Sequence, residues 1–194
     1  MKIFPVIFCF LFPLCSFSQL TTKVEWTQHT SMPASEIIYY NPANKLLWPD
    51  FKGTVPAESN NTRTAAITMS GFGYTASLTS SGGRGELDIK VYCFFNKNKS
   101  WVKPGKTTAY ILNHEQHHFD ITYIAACIFI DKIQSAVITV KDYNNLLPRI
   151  YDECIDAMNK MQDDYDGQTR NGQEVAIQEK WNKFINDKMS LITK

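Results

Sequence analysis

Beyond its first 18 residues the chain has no apolar run approaching the roughly 20 residues that a membrane-crossing helix needs, and no basic cluster longer than a few residues. The first absence leaves no candidate for a membrane span after residue 18. The second, with a formal net charge of +1, gives no electrostatic footprint for nucleic acid. Internal repeats and low-complexity tracts are also missing, which excludes solenoids and disordered linkers. Cysteine is scarce. Cys9 and Cys15 lie in the first 18 residues, so only Cys93, Cys127 and Cys154 remain for the body of the protein. Three cysteines allow one disulfide and a leftover thiol, or three buried free thiols.

The first 18 residues read as a secretory signal. Lys2 precedes an apolar run from Ile3 to Cys15, and Ser16-Phe17-Ser18 puts small residues where a signal peptidase reads. Phe12, Pro13 and Leu14 before Cys15 do not suit lipoprotein processing. The expectation is a cleaved signal at 1–18, Gln19 as the mature N-terminus, and a secreted or periplasmic protein. Residues 19–194 are then one domain, long enough to bury a core.

The N-terminal half is rich in β-branched and aromatic residues. "KVEW" (23–26), "KLLWPDF" (45–51), "TAAITMSGFGYTASL" (64–78) and "GELDIKVYCFF" (85–95) are separated by turn-forming clusters and predict strands. In the last of these, Leu87, Ile89, Val91 and Cys93 alternate with Asp88, Lys90 and Tyr92, the period of a half-buried antiparallel strand. Trp48 and Phe51 read as core, and "SWV" (100–102) as packing between sheet and helix.

From Thr107 to Ser135 no proline or glycine intervenes, and "ITYIAACIFI" is apolar on nearly every face, so a buried helix is expected there. A second helix is predicted from about Pro148 to Asp166, after a connection with room for an initial helical turn before Pro148, and a third over "EVAIQEKWNKFINDKM" (174–189). Strands first and helices second make an α+β domain, with an antiparallel sheet followed by a helical half whose second helix runs antiparallel to the first.

Three of the four histidines fall within "ILNHEQHHFDI" (111–121). His114, Glu115 and His118 form H-E-x-x-H on the long helix. Two histidines four apart lie about 40° apart around the axis, so both can reach one ion. Zinc lowers the pKa of a bound water to about 7, and the intervening glutamate can shuttle its proton. His117 points about 100° away from His118 and is read as a neighbour of the site or a surface residue. His29 has nothing around it that suggests a ligand.

A catalytic zinc usually has three protein ligands. Ile121 and Ile124 exclude a metzincin continuation, so a carboxylate from the second helix is expected. If Cys127 and Cys154 face each other across a helical hairpin, Glu115 falls opposite Asp166 and His118 opposite Asp163. Asp163, Asp164 and Asp166 compete for the role, with Asp166 preferred beside core-facing Tyr165.

"LWPDFKG", "SWV", "LNHEQHHFDI" and "MQDDYDGQTRNGQEVAIQEKW", in that order between Leu46 and Phe184, resemble a bacterial domain-of-unknown-function family of predicted secreted zinc-dependent proteases. The resemblance implies an exported metallopeptidase-like domain acting on peptide or protein substrates. One departure stands out: the family's late block resembles Y-D-x-x-T-x-H-G, whereas Asn171 occupies the histidine position here. The resulting expectation is zinc held by His114, His118 and Asp166, Glu115 as general base and then acid, and Tyr165 or Asn171 donating to the oxyanion. The competing reading is a catalytically inactive metal- or protein-binding module on the same fold.

Overall fold

The computed structural model describes residues 19–81 and 84–192; the expected signal sequence lies outside them. Six strands precede three helices. They are β1 (Gln19–Trp26), β2 (Ile37–Tyr39), β3 (Ala66–Ile67), β4 (Ser70–Ser81), β5 (Arg84–Asn96), β6 (Trp101–Val102), α1 (Ala109–Ser135), α2 (Tyr143–Thr169) and α3 (Val175–Ile192).

β5 is the spine of the main sheet. Its alternation is realised: Leu87, Ile89, Val91, Cys93 and Phe95 are buried beneath the helices. β4 pairs antiparallel along one edge, from Ser70 opposite Phe95 to Ser81 opposite Arg84. The other edge is shared. β1 covers Arg84 to Val91 in parallel, and β2 covers Phe94 to Asn96 antiparallel. The sheet is therefore mixed rather than wholly antiparallel as expected. Alternation reports which face of a strand is buried and carries no information about the direction of its neighbour. The long segment between β1 and β5 supplies the connection that a parallel pair requires.

"KLLWPDF" is not a strand. Trp48–Asp50 forms one 3-10 turn, in which Asp50 Oδ2 accepts from the Leu47 N–H at 2.8 Å. Pro49 has no N–H to give to a ladder, which favours the turn. The core assignment of Phe51 holds, since it is buried with its ring 5.0 Å from that of Phe95. Trp101 is also buried, in a β6 strand that pairs antiparallel with β3.

α1 starts at Thr108, whose side chain accepts from the Ile111 N–H at 3.2 Å and so satisfies one of the free donors of the first turn. It packs against β1, β3, β4 and β5 on one side and against α2 and α3 on the other. α2 begins before the expected Pro148, because Asp142 starts it earlier: its carbonyl accepts from the N–H groups of Asn145 and Leu146, and its side chain from that of Thr139. α2 runs antiparallel to α1, as the Lys132–Glu153 ion pair at one end and the His114–Asp166 contact at the other demonstrate. Cys93, Cys127 and Cys154 are buried free thiols. The hairpin is therefore not tied by a Cys127–Cys154 disulfide. His118 meets Gln162 and Asp166 rather than Asp163.

The face of α1 away from α2 is pinned by Asp120. Its buried carboxylate accepts from the Tyr40 hydroxyl at 2.7 Å, the Gln116 amide at 2.9 Å and His117 Nδ1 at 3.0 Å. Gln116 Oε1 in turn accepts from the Leu46 N–H at 2.8 Å. His117 is thus neither a surface residue nor a partner of His114 and His118, because its place in the helix turns it toward Asp120. Burial opposes the Asp120 charge, but the bonds from His117 and Tyr40, with Lys45 and Gln116, hold its pKa below the ordinary value. Asp120→Ala would strand three buried donors, each costing about 1–3 kcal/mol. Equilibrium urea unfolding is expected to register a loss of about 3 kcal/mol or more, and a loss below about 1 kcal/mol would contradict the pinning role.

Candidate metal centre

His114 and His118 project from one side of α1 toward α2, and Asp166 meets them from α2. Asp166 Oδ1 lies 3.0 Å from His114 Nε2 and 3.1 Å from His118 Nε2, and the two Nε2 atoms are 3.2 Å apart. A tetrahedral ion with ligand bonds of about 2.0–2.1 Å needs ligand atoms about 3.3 Å apart, so the triangle fits one with little adjustment. Among the described residues these three form the single His/Cys/Asp/Glu group able to hold a metal.

The far side of each imidazole fixes its tautomer. Gln162 donates its amide N–H to the His118 carbonyl at 2.9 Å and contacts Thr122 Oγ1 at 3.3 Å, so its Oε1 faces His118 Nδ1. Gln178 gives its amide N–H groups to the Tyr165 hydroxyl and to Asn182, and its Oε1 faces His114 Nδ1 at 2.8 Å. Each Nδ1 must therefore carry the hydrogen. Both Nε2 atoms then present lone pairs to each other and to a carboxylate oxygen. Three lone pairs at this separation repel unless a cation, a proton or a metal lies among them.

Electrostatics agree with that account. Burial works to lower the His118 pKa, but the Asp166 hydrogen bond, with the Glu115 and Asp166 charges, overrides it and lifts the pKa from 6.5 to about 9. Burial works to raise the Asp166 pKa, but His114 and His118 beside it hold it well below the ordinary carboxylate range.

Around the trio lies a cavity of about 240 Å³, walled by residues 65–70, by the first turns of α1, and by Met158, Asp163 and Asn171. Glu115 is buried at its side, with Oε2 accepting from the Thr68 hydroxyl at 2.8 Å. Asp163 lines the cavity without joining the trio, and Asp164 pairs with Lys160 at the surface. His29 is exposed.

Tyr165 stands behind the site. It is fully buried, its ring stacks on His114 at 4.6 Å, and its hydroxyl is engaged by Gln178 and by the His114 carbonyl at 3.4 Å. The ring supports His114, and the hydroxyl is turned away from an oxyanion role. Asn171 is on the cavity wall. It lies in a turn where Arg170, Asn171 and Gly172 all have left-handed backbone, with φ of 52°, 54° and 76°. Asparagine tolerates that region and glycine is at home in it. A Cβ on Gly172 would come within 3.3 Å of His114 Nδ1. Thr169 Oγ1 accepts from the Gly172 N–H at 3.1 Å, and the Gly172 carbonyl accepts from the Tyr110 hydroxyl at 2.7 Å.

Sequence reasoning missed Gln178 and Thr68. Gln178 is a fully buried polar residue on an amphipathic helix, and local pattern does not reveal its partner. Thr68 sits in a strand-rich stretch whose alternation says nothing of the helix it faces. Compared with family models, with curated proteins and with solved structures, the chain matches none. None of the described helices is long and apolar enough to cross a membrane.

The trio sets a pH signature for the metal-free protein. The raised His118 pKa stabilises the fold fully below about pH 6.5, and this contribution is lost as pH rises through about 9. The depressed Asp166 pKa acts in the opposite sense: its contribution is present above about pH 3.8 and is lost on acidification. NMR titration of the His118 ring is expected to give a midpoint well above 6.5, and a midpoint at or below that value would contradict the convergent geometry.

Proposed function

We propose that this protein is an exported zinc-dependent metallopeptidase whose metal is held by His114 Nε2, His118 Nε2 and Asp166. The observation that carries the reading is the set of three lone-pair atoms facing one another at 3.0–3.2 Å while two glutamines hold the opposite ring nitrogens as donors. The resemblance of the four sequence blocks to predicted secreted zinc-dependent proteases supports it, as does the signal-like sequence at 1–18. Zinc bound there would act as a Lewis acid and bring the pKa of a water to about 7.

The chain's own groups supply the remainder. Thr68 occupies Oε2 of Glu115, which leaves Oε1 to take the proton of the attacking water and pass it to the departing amine as the C–N bond breaks. Gln162 and Gln178 orient the histidines and raise their basicity, as partners behind a metal ligand do. Asn171, on the cavity wall, offers an amide donor to the carbonyl oxygen that gains charge. The same residue favours a second reading, because an amide in the family's histidine position would lower turnover and leave a metal-binding module without catalysis.

Elemental analysis of the purified protein is expected to give about one zinc per chain, lost in His118→Ala. Calorimetric titration of the metal-free protein near pH 7.5, in buffers of different ionisation enthalpy, is expected to report release of at least one proton, because His118 is charged there before zinc enters and a water brought to about 7 would add to it. Glu115→Gln should retain the metal and lower peptide hydrolysis by about 100-fold or more. Equal hydrolysis in that variant would refute the mechanism, and zinc without hydrolysis in the wild type would favour the binding module.

A further inference from the structure

The metal cavity opens beside a second, larger one of about 540 Å³, and the two share Tyr110, Asn171 and Gly172 in their walls. Every charged side chain lining the second cavity is cationic: Arg63, Lys103 and Lys106. The surface is not generally short of acids, since Lys132 pairs with Glu153, Lys160 with Asp164, Arg170 with Glu174 and Lys183 with Asp187. Arg63, Lys103 and Lys106 have no carboxylate partner among the described residues. Lys103 is held in position by the Thr62 carbonyl, which accepts from Nζ at 2.9 Å, so its charge stays at the cavity instead of following a surface acid. No acidic residue lies in the first turn of α1, which borders the same space. Uncompensated cations in a concave wall focus their field on whatever enters.

We infer that this cavity is the specificity subsite of the peptidase centre and takes a carboxylate of the substrate, from an acidic side chain or a C-terminus within a few residues of the bond cut. The inference rests on the peptidase reading for the word substrate, and the cavity's charge stands independently of it. Ala65, Tyr110, Ile111, Asn171 and Gly172 line both cavities, so the cationic one adjoins that of His114, His118 and Asp166 across this shared wall. A chain lying across it brings one amide to Glu115 while its carboxylate reaches the cations. Arg63 and Lys106 are exposed and contribute to no buried contact, so they can be neutralised without loss of the fold.

The test uses the zinc-loaded full chain in two forms. The Glu115→Gln variant, which keeps peptides intact, is titrated by fluorescence anisotropy with three matched peptide pools. One has Asp and Glu side chains with amidated C-termini, one has Asn and Gln with free C-terminal carboxylates, and one has Asn and Gln with amidated C-termini. At least one acidic pool should bind roughly ten-fold more tightly than the neutral pool, as expected from three solvent-screened ion pairs. Arg63→Gln with Lys106→Gln should remove most of that advantage. Which acidic pool wins identifies the source of the carboxylate. Equal affinity for all three pools, immeasurable affinity included, overturns the inference. Wild-type protein incubated with the same pools separates the two readings. Cleavage without acidic preference overturns the subsite and leaves the peptidase intact. Carboxylate-dependent binding without cleavage of any pool refutes the peptidase and leaves an anion-binding cavity.

Discussion

A helix buried on nearly every face cannot carry polar groups without partners, and α1 carries five within seven residues. His114, Glu115, Gln116, His117 and Asp120 are all buried. Left alone in an apolar interior, each would cost several kcal/mol. Successive residues turn by about 100° around the helix axis, so the five point to different sides; other elements answer most of them, and His117 is held by Asp120 of α1 itself. α2 brings Asp166 and Gln162 to the histidine face, and α3 adds Gln178. The segment before β4 offers Thr68 to Glu115. Tyr40 and Leu46 close the Asp120 side. The arrangement of the whole domain around α1 is in this sense a solution to the polar demands of one helix.

Those demands also explain what could be read in advance. H-E-x-x-H is a local pattern, and helix geometry alone puts His114 and His118 side by side. Asp166 was accessible because an antiparallel hairpin relates positions on two helices, even though the cysteine pair used to set that relation is not joined. Gln178 and Thr68 were beyond reach. Each is defined by its partner, and the partner comes from a part of the chain with no pattern in common. The mixed sheet escaped for a similar reason, since the alternation of β5 names its buried face without naming the direction of β1. α2 extends ahead of Pro148 to Tyr143 because the apolar pattern does not mark where a helix begins.

Tyr165, Asp166, Thr169 and Gly172, all within eight residues, acquire separate physical tasks. Tyr165 backs the His114 ring, Asp166 completes the trio, Thr169 binds the Gly172 N–H, and Gly172 leaves room for His114. Three of the four thus support His114 or the turn after α2, and one meets the two imidazoles directly.

The turn that carries Asn171 links the two cavities. Left-handed backbone costs about 1–3 kcal/mol per residue outside glycine, and Arg170 and Asn171 both adopt it. The turn persists because its backbone is tied at several points. The Asn171 N–H bonds to the Asp166 carbonyl at 2.9 Å, the Glu174 N–H bonds to the Thr169 carbonyl at 2.9 Å, and Tyr110 holds the Gly172 carbonyl. One of those ties starts at Asp166, which meets His114 and His118, and another at Tyr110, on the wall of both cavities. A strained segment anchored at both ends has little freedom to shift, so the cationic cavity stands at a set distance from the trio. For the carboxylate subsite inferred above, that rigidity would set where the carboxylate must lie along a substrate, with no need for a moving lid.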